Sequence, residues 1–273
     1  MSDSDINYTL DDLCYLMARL RDPEYGCPWD LKQDFASIIP HTLEEAYEVA
    51  DTIEREDWDH LADELGDLLF QVIFYSQLGQ EESRFTMNTV INGIVTKLLR
   101  RHPHVFPDGE LRTPPRKITL SEAQISANWE AIKQQERAGA AKDKVLDDVP
   151  RGLPALSRAE KLQKRASEVG FDWNDPLLVL DKIEEEIAEL REAIASGDQA
   201  SVKDEMGDVL FAQVNLARHL GVKPEAALRG TNQKFERRFA FVEACVTESG
   251  RSWAEHSLDQ LDGFWDEAKK NGL

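Results

Sequence analysis

Residues 42–56, TLEEAYEVADTIERE, and residues 63–78, DELGDLLFQVIFYSQL, decide the fold. In the first, Leu43, Ala46, Tyr47, Ala50 and Ile53 recur every three or four residues, the period of a helix with one apolar stripe. That stripe is expected to be buried, with Glu45 lying nearly opposite. Thr42 and Glu45 have the spacing of a capping box, which predicts a helix start at Thr42. In the second stretch the apolar residues nearly encircle the axis. Leu61, Leu65, Leu68 and Val72 take one side and Phe70 and Phe74 the other, leaving Glu64 and Asp67 in a narrow notch. Carboxylates hemmed by apolar surface are costly unless paired or metal-bound. Gly66 costs about 1 kcal/mol at mid-helix, so a neighbouring helix or a ligand is expected to approach it closely.

The same pattern recurs further along the chain. Glu44-Glu45-x-x-Glu48 answers to Glu185-Glu186-x-x-Glu189, and Glu64-Leu-Gly-Asp67 to Glu205-Met-Gly207-Asp208. Glu45 and Glu64 are 19 residues apart, and so are Glu186 and Glu205. Lys97 and Arg101 answer to Lys234 and Arg238, Trp129 and Lys133 to Trp265 and Lys269, and Gly26-Cys-Pro-Trp29 to Gly170-Phe-Asp-Trp173. One helical unit has been used twice. Helices are predicted near 10–21, 42–56, 58–80, 86–101, 121–138, 155–168, 177–195, 198–220, 224–248 and 257–270, with no alternating strand. The fold class is therefore all-α, a tandem of two helical bundle units. The first occupies 1–141 and the second 155–273, joined by a charged, Pro- and Gly-punctuated linker over 142–154 with no apolar stripe.

Composition narrows the function. The chain has 273 residues, 41% of them hydrophobic, and a net charge of −20 from 32 basic and 52 acidic residues. Such acidity argues against nucleic acid as a partner, because that needs a basic face. No apolar run is long enough to span a membrane, and the acidic N-terminus lacks signal-peptide features. A cytoplasmic protein is expected. Three scattered cysteines fit neither a disulfide framework nor a thiolate metal site. No Walker A, GxGxxG, GxSxG or HExxH motif is present.

The repeated residues suggest their own chemistry. Residues three and four apart share a helix face. Glu45 with Glu48, and Glu64 with Asp67, can thus converge from adjacent helices, as can Glu186, Glu189, Glu205 and Asp208. Oxygen-only ligands suit Mg²⁺ or Mn²⁺ rather than Zn²⁺. The cation and Trp/Lys pairs are of the kind a polyphosphate and a base require. Against this, acidic runs on helices are commonly only solvated faces, so a non-enzymatic helical interaction module stays open. Trp29 and Trp173 are expected to fill cores, and His102 and His104, which have no counterpart in the second half, to be structural.

Taken together, EExxE, ExxD, RLRDPEYGCPWD, RRHPHVF and WEAIK resemble the MazG family of nucleoside triphosphate pyrophosphohydrolases in its two-domain bacterial form. The resemblance covers about residues 10–136 and 156–270. It implies helical bundles that form a homodimer, and the reaction NTP + H₂O → NMP + diphosphate with Mg²⁺ over a broad range of NTPs and dNTPs. It implies Glu186, Glu189, Glu205 and Asp208 as metal ligands, with Glu45, Glu48, Glu64 and Asp67 as a second, weaker set. Lys182, Lys234 and Arg238 would contact the triphosphate, and Trp265 and Lys269 would close the nucleotide pocket. Lys97, Arg101, Trp129 and Lys133 form the weaker set of these. Glu185 or Glu186 is expected as the catalytic base. A related enzyme restricted to dUTP or dCTP is the nearer alternative. Lys182 precedes Glu186 by one turn where His41 precedes Glu45. A largely neutral imidazole is a poorer phosphate partner, so the second unit is expected to be the principal catalytic one.

Overall fold

The computed structural model describes residues 7–138 and 144–273. Its described residues form ten α-helices and two short 3-10 turns, with no strand among them. Contacts divide the chain into two units after Glu136, shortly before the expected boundary.

The first unit contains α1 (Leu10–Leu20), α2 (Ile39–Glu54), α3 (Trp58–Glu81), α4 (Met87–Arg101) and most of α5 (Glu122–Ala138). Helices α1, α2 and α4 all pack on α3. The centre is a dry cluster of Met17, Ile38, Ile73, Phe74 and Leu78, with Phe35, Phe70 and Tyr75 packed around it. The second unit contains α6 (Ala155–Ser167), α7 (Pro176–Ser196), α8 (Gln199–His219), α9 (Pro224–Glu248) and α10 (Leu258–Lys270). Its closest packing is between α7 and α8. They are joined by Gly197, whose φ of 74° is a left-handed cap, and by Asp198, whose carboxylate caps the Ala200 N–H. In the matching turn of the first unit Glu56 takes φ 55° without the freedom of a glycine.

Four expectations need correction. Helix α2 begins at Ile39, not Thr42. Pro40 pre-sets the first turn, and the Thr42 hydroxyl donates back to Ile38 O at 3.1 Å and lies 3.0 Å from the Tyr75 hydroxyl, which can donate to it. The stripe expected to be buried on α2 faces outward: Leu43, Tyr47 and Ile53 are each about half exposed, while Thr52 is buried. Leu177, Leu180 and Ile194 of α7 repeat this inversion, with Glu186 buried. Periodicity alone does not say which face meets a neighbour: on α2 it is the face of Thr52, and on α7 that of Val179, Glu186 and Ala193. Nor are Asp67 and Asp208 walled in; both are exposed, as are Leu65, Val72, Met206 and Leu210 beside them. Finally, a Cβ on Gly66 or Gly207 would meet nothing within 4 Å, so no neighbouring helix of this chain requires them.

Of the stretch expected as a linker, residues 142 and 143 lie outside the described residues. The part from 144 belongs to the second unit. Val149 is buried and Asp148 pairs with Arg165 at 2.6 Å. Isolated apolar residues in turns anchor here without any helical stripe to reveal them.

Candidate functional site

In the second unit, one oxygen each from Glu186, Glu205 and Asp208 lie within 4.8 Å of one another. Glu186 projects from α7 toward α8 and is only 7% exposed. Glu189, one turn further along α7, has its pKa raised by burial and by the Glu186 and Glu205 charges. Glu189 is exposed and stands outside the close group of Glu186, Glu205 and Asp208, as Asp67 stands outside that of Glu45, Glu48 and Glu64. The Lys182 ammonium, one turn before Glu186, sits 2.8 Å from the carboxylates of both Glu185 and Glu186. Its pKa is raised by those partners. Crowded carboxylates with like charges on them present the donor set of a hard divalent cation, and their mutual repulsion is what such a cation relieves.

A cavity of about 390 Å³ opens beside these groups, lined by Lys182, Glu186 and Asp208. Its other walls are apolar, both aliphatic, as from Leu162 and Val179, and aromatic, from Phe171, Trp173 and Phe211, with Gln163, Asn215 and Arg218 among the polar members. A mostly apolar hollow with a few polar groups next to charged residues is the form of a small-molecule site. Trp173 is thus a cavity wall and not a core plug. Trp29, half exposed, contacts the His41 ring edge-on with centroids 5.9 Å apart. Cavity-lining Gln163, Phe211, Asn215 and Arg218 escaped the reading of motifs. Their one sequence signal is a break in the repeat: counted from the matched Glu64 and Glu205, Asn215 stands where the first unit has Phe74.

The first unit also gathers its carboxylates. Oxygens of Glu45, Glu48 and Glu64 lie within 4.8 Å of one another. The Glu45 pKa is raised by burial first, then by Asp67 and Glu48. The Gln71 amide donates to Glu45 at 3.4 Å. His41 approaches only the exposed Glu44, at 3.8 Å. Among the described residues no histidine or cysteine joins a potential metal group. His102 instead contacts Leu98 O through Nδ1 at 2.7 Å.

Of the expected nucleotide-binding residues of the second unit, Lys182 alone lines the cavity. None of Lys234, Arg238, Trp265 and Lys269 lines the cavity. Arg238 Nε donates to the Leu273 carbonyl at 2.8 Å, and its guanidinium lies 5.7 Å from the Trp265 ring centroid. Lys269 pairs with Asp266 at 2.9 Å, and Lys234 is exposed. In the first unit Arg101 is bound to Glu136 at 2.6 Å, Lys133 lies 4.7 Å from the Trp129 centroid, and Lys97 is exposed on α4. The repeat kept the i, i+4 spacing of each pair, and the pairs stand on α9 and α10 in the second unit and on α4 and α5 in the first.

The profile of the MazG nucleotide pyrophosphohydrolase domain matches residues 33–106 and again residues 174–241. The nucleoside triphosphate pyrophosphohydrolase of Escherichia coli K12 is 51% identical over 268 residues, 97% of this chain and 98% of its own. The nucleoside triphosphate pyrophosphohydrolase/pyrophosphatase MazG of Thermotoga maritima is 41% identical over 259 residues, 95% of either chain. YabN of Bacillus subtilis is 43% identical over 256 residues, 93% of this chain and 50% of its own. Each profile match contains one of the two carboxylate clusters, and the relatives align over nearly the whole length: the chain belongs to the MazG nucleotide pyrophosphohydrolase family, with two family units in tandem.

Proposed function

We propose that the protein is a Mg²⁺-dependent nucleoside triphosphate pyrophosphohydrolase of the cytoplasm, converting NTPs and dNTPs of broad base range to NMP and diphosphate, with the second unit as its catalytic centre. The observation that carries this is the junction of Glu186, Asp208 and Lys182 with the aromatic cavity. There the carboxylates and Lys182 stand next to a hollow of a size for a base.

Glu186, Glu189, Glu205 and Asp208 would hold the metal, and Mn²⁺ suits the same oxygens. When bound, the ion supplies charge neutralisation on the phosphates and a more acidic water. The chain's own residues do the rest. Lys182 moves from its carboxylate partners to a phosphate oxygen as the substrate enters. That frees Glu185, which is exposed and paired only to Lys182, to accept the proton of the attacking water. The aromatic walls exclude water from the base and fix its distance from the reacting phosphorus.

A homodimer supports this reading as well. Leu43, Tyr47 and Ile53 of α2, and Leu177, Leu180 and Ile194 of α7, are exposed apolar faces in the single chain, and faces of this kind mark association surfaces. A second copy is also the source we assign for Lys234, Arg238, Trp265 and Lys269 at the triphosphate.

Product analysis over the eight common NTPs and dNTPs, with Mg²⁺ or EDTA, tests the proposal. The expected result is Mg²⁺-dependent NMP and diphosphate, lost in Glu186→Gln and retained in Glu45→Gln. No turnover of any nucleotide by folded protein would leave a helical scaffold as the better description.

A further inference from the structure

Two amides in the cavity of the second unit have their orientation fixed by chemistry. The Gln163 Nε2 amide donates to the Phe211 carbonyl at 2.8 Å. A carbonyl only accepts, so the NH₂ of Gln163 must be the end that faces it. Its Oε1 is thereby left buried with no hydrogen-bond partner, in a side chain only 8% exposed. An orphaned buried acceptor is costly, and this one belongs to a residue lining a cavity.

Asn215, 5% exposed, is held the other way round. Arg218 donates to Asn215 Oδ1 through Nη2 at 2.7 Å and through Nε at 3.1 Å. Arg218 is itself anchored to Asp172 at 2.5 Å. A guanidinium only donates, so Asn215 Oδ1 must face it and the Asn215 NH₂ is what the amide can offer to the cavity. Two residues that line the hollow thus keep one acceptor, on Gln163, and one donor, on Asn215, on the side away from the contact that fixes each amide.

We propose that Gln163 and Asn215 are specificity-determining residues that read the hydrogen-bonding edge of the nucleobase, Gln163 accepting from the base and Asn215 donating to it. This rests on the pyrophosphohydrolase reading for the identity of the ligand as a nucleotide. The pair demands a ligand with a donor beside an acceptor. Adenine and cytosine supply an amino group next to a ring nitrogen; guanine and uracil supply a ring N–H next to a carbonyl. All four satisfy the pair and a base-free sugar phosphate does not. The pocket therefore requires a base while tolerating its identity, which accounts for breadth without indifference.

Calorimetric titration of the full-length protein with AMP, CMP, GMP, UMP and ribose 5-phosphate tests this without turnover. Wild type is expected to bind the four nucleotides about 10-fold more tightly than ribose 5-phosphate, and Gln163→Met to remove most of that difference. Asn215→Asp keeps the shape and the Arg218 contact but turns the donor into an acceptor. Two acceptors match guanine, whose N1–H and amino group are adjacent donors, so GMP should gain about 10-fold relative to the other three. A purely structural role for either residue would weaken all five ligands alike. Equal affinity for nucleotides and ribose 5-phosphate, no detectable binding of any nucleotide, or a uniform shift in Asn215→Asp overturns the proposal. Parallel product analysis separates the two ideas: base-dependent binding without NMP and diphosphate formation sinks the hydrolytic reading and leaves base recognition standing.

Discussion

The two units carry the same carboxylates on the same helical register, yet one is hollow where the other is solid. In the first, Phe74 is 1% exposed and packs with Met17, Ile38 and Ile73 into the dry cluster. In the second, Asn215 stands at the position of Phe74, and Ala212 and Arg218 at those of Gln71 and Gln77. Those three line the cavity beside Glu186. A buried aromatic of that size contributes several kcal/mol to a core. Replacing it by a small amide tied to Arg218 exchanges that stability for a binding space. Equivalent carboxylate clusters are thus set beside a packed aromatic in one unit and beside a cavity in the other.

The largest effects should separate the units by stability. Phe74→Ala is expected to cost about 3–5 kcal/mol, since it empties a closed core. Asn215→Ala should cost no more than about 1–2 kcal/mol, because it removes an acceptor beside an existing hollow. Denaturant unfolding of the two variants checks this, and equal losses would show the contrast to be illusory. Activity should divide the other way. Glu186→Gln should lower turnover on the order of 100-fold or more, whereas Glu45→Gln should change it less than about 3-fold; a comparable loss in both would make the first unit a second catalytic centre.

Acid should act on two kinds of group with opposite sign. Glu45 and Glu189 have folded pKa values above 4.5, from burial and like charge. Their contribution to stability is complete below 4.5 and is lost as pH rises through the raised folded values. In EDTA, melting temperature should then rise on acidification from pH 7, and Mg²⁺ at pH 7 should recover it. Glu136 is the reverse case: hydrogen bonds from Arg101, with help from Arg100, hold its pKa down to about 2. Its contribution is present above 4.5 and fades as pH falls toward about 2. Glu136→Gln should make the acid limb, which it shares with other carboxylates held down such as Glu81 and Asp172, less steep, and Glu45→Gln should do the same to the opposite limb it shares with Glu189, in melting curves taken across pH. The smallest effect belongs to the turns. Glu56→Gly gives the first unit the left-handed glycine that the second has at Gly197, and should stabilise it by at most about 1 kcal/mol, because relieved strain is partly offset by chain entropy. A loss of melting temperature would mean that Glu56 is held by more than its turn.

Sequence by itself determined a great deal here. Helix periodicity, the 19-residue spacing repeated between carboxylates, and the punctuation by Pro and Gly fixed ten helices and two units, because these are local properties of each segment. The same spacing put Glu45 with Glu48, and Glu205 with Asp208, on one face of one helix, since i, i+3 positions share a face whatever surrounds them; it was the packing of α2 on α3 and of α7 on α8 that brought Glu64 to the first pair and Glu186 to the second. Which face of a helix turns inward was not local. Leu43, Tyr47 and Ile53 of α2 and Leu177, Leu180 and Ile194 of α7 point out while Glu186 points in, a choice made by the helix packed beside each. The cavity was less legible still. Whether position 74 or its counterpart 215 fills space or leaves it depends on Met17 and Ile38 in one unit, and on Gln163, Trp173 and Arg218 in the other. Those partners arrive from distant parts of the chain, and only tertiary packing brings them together.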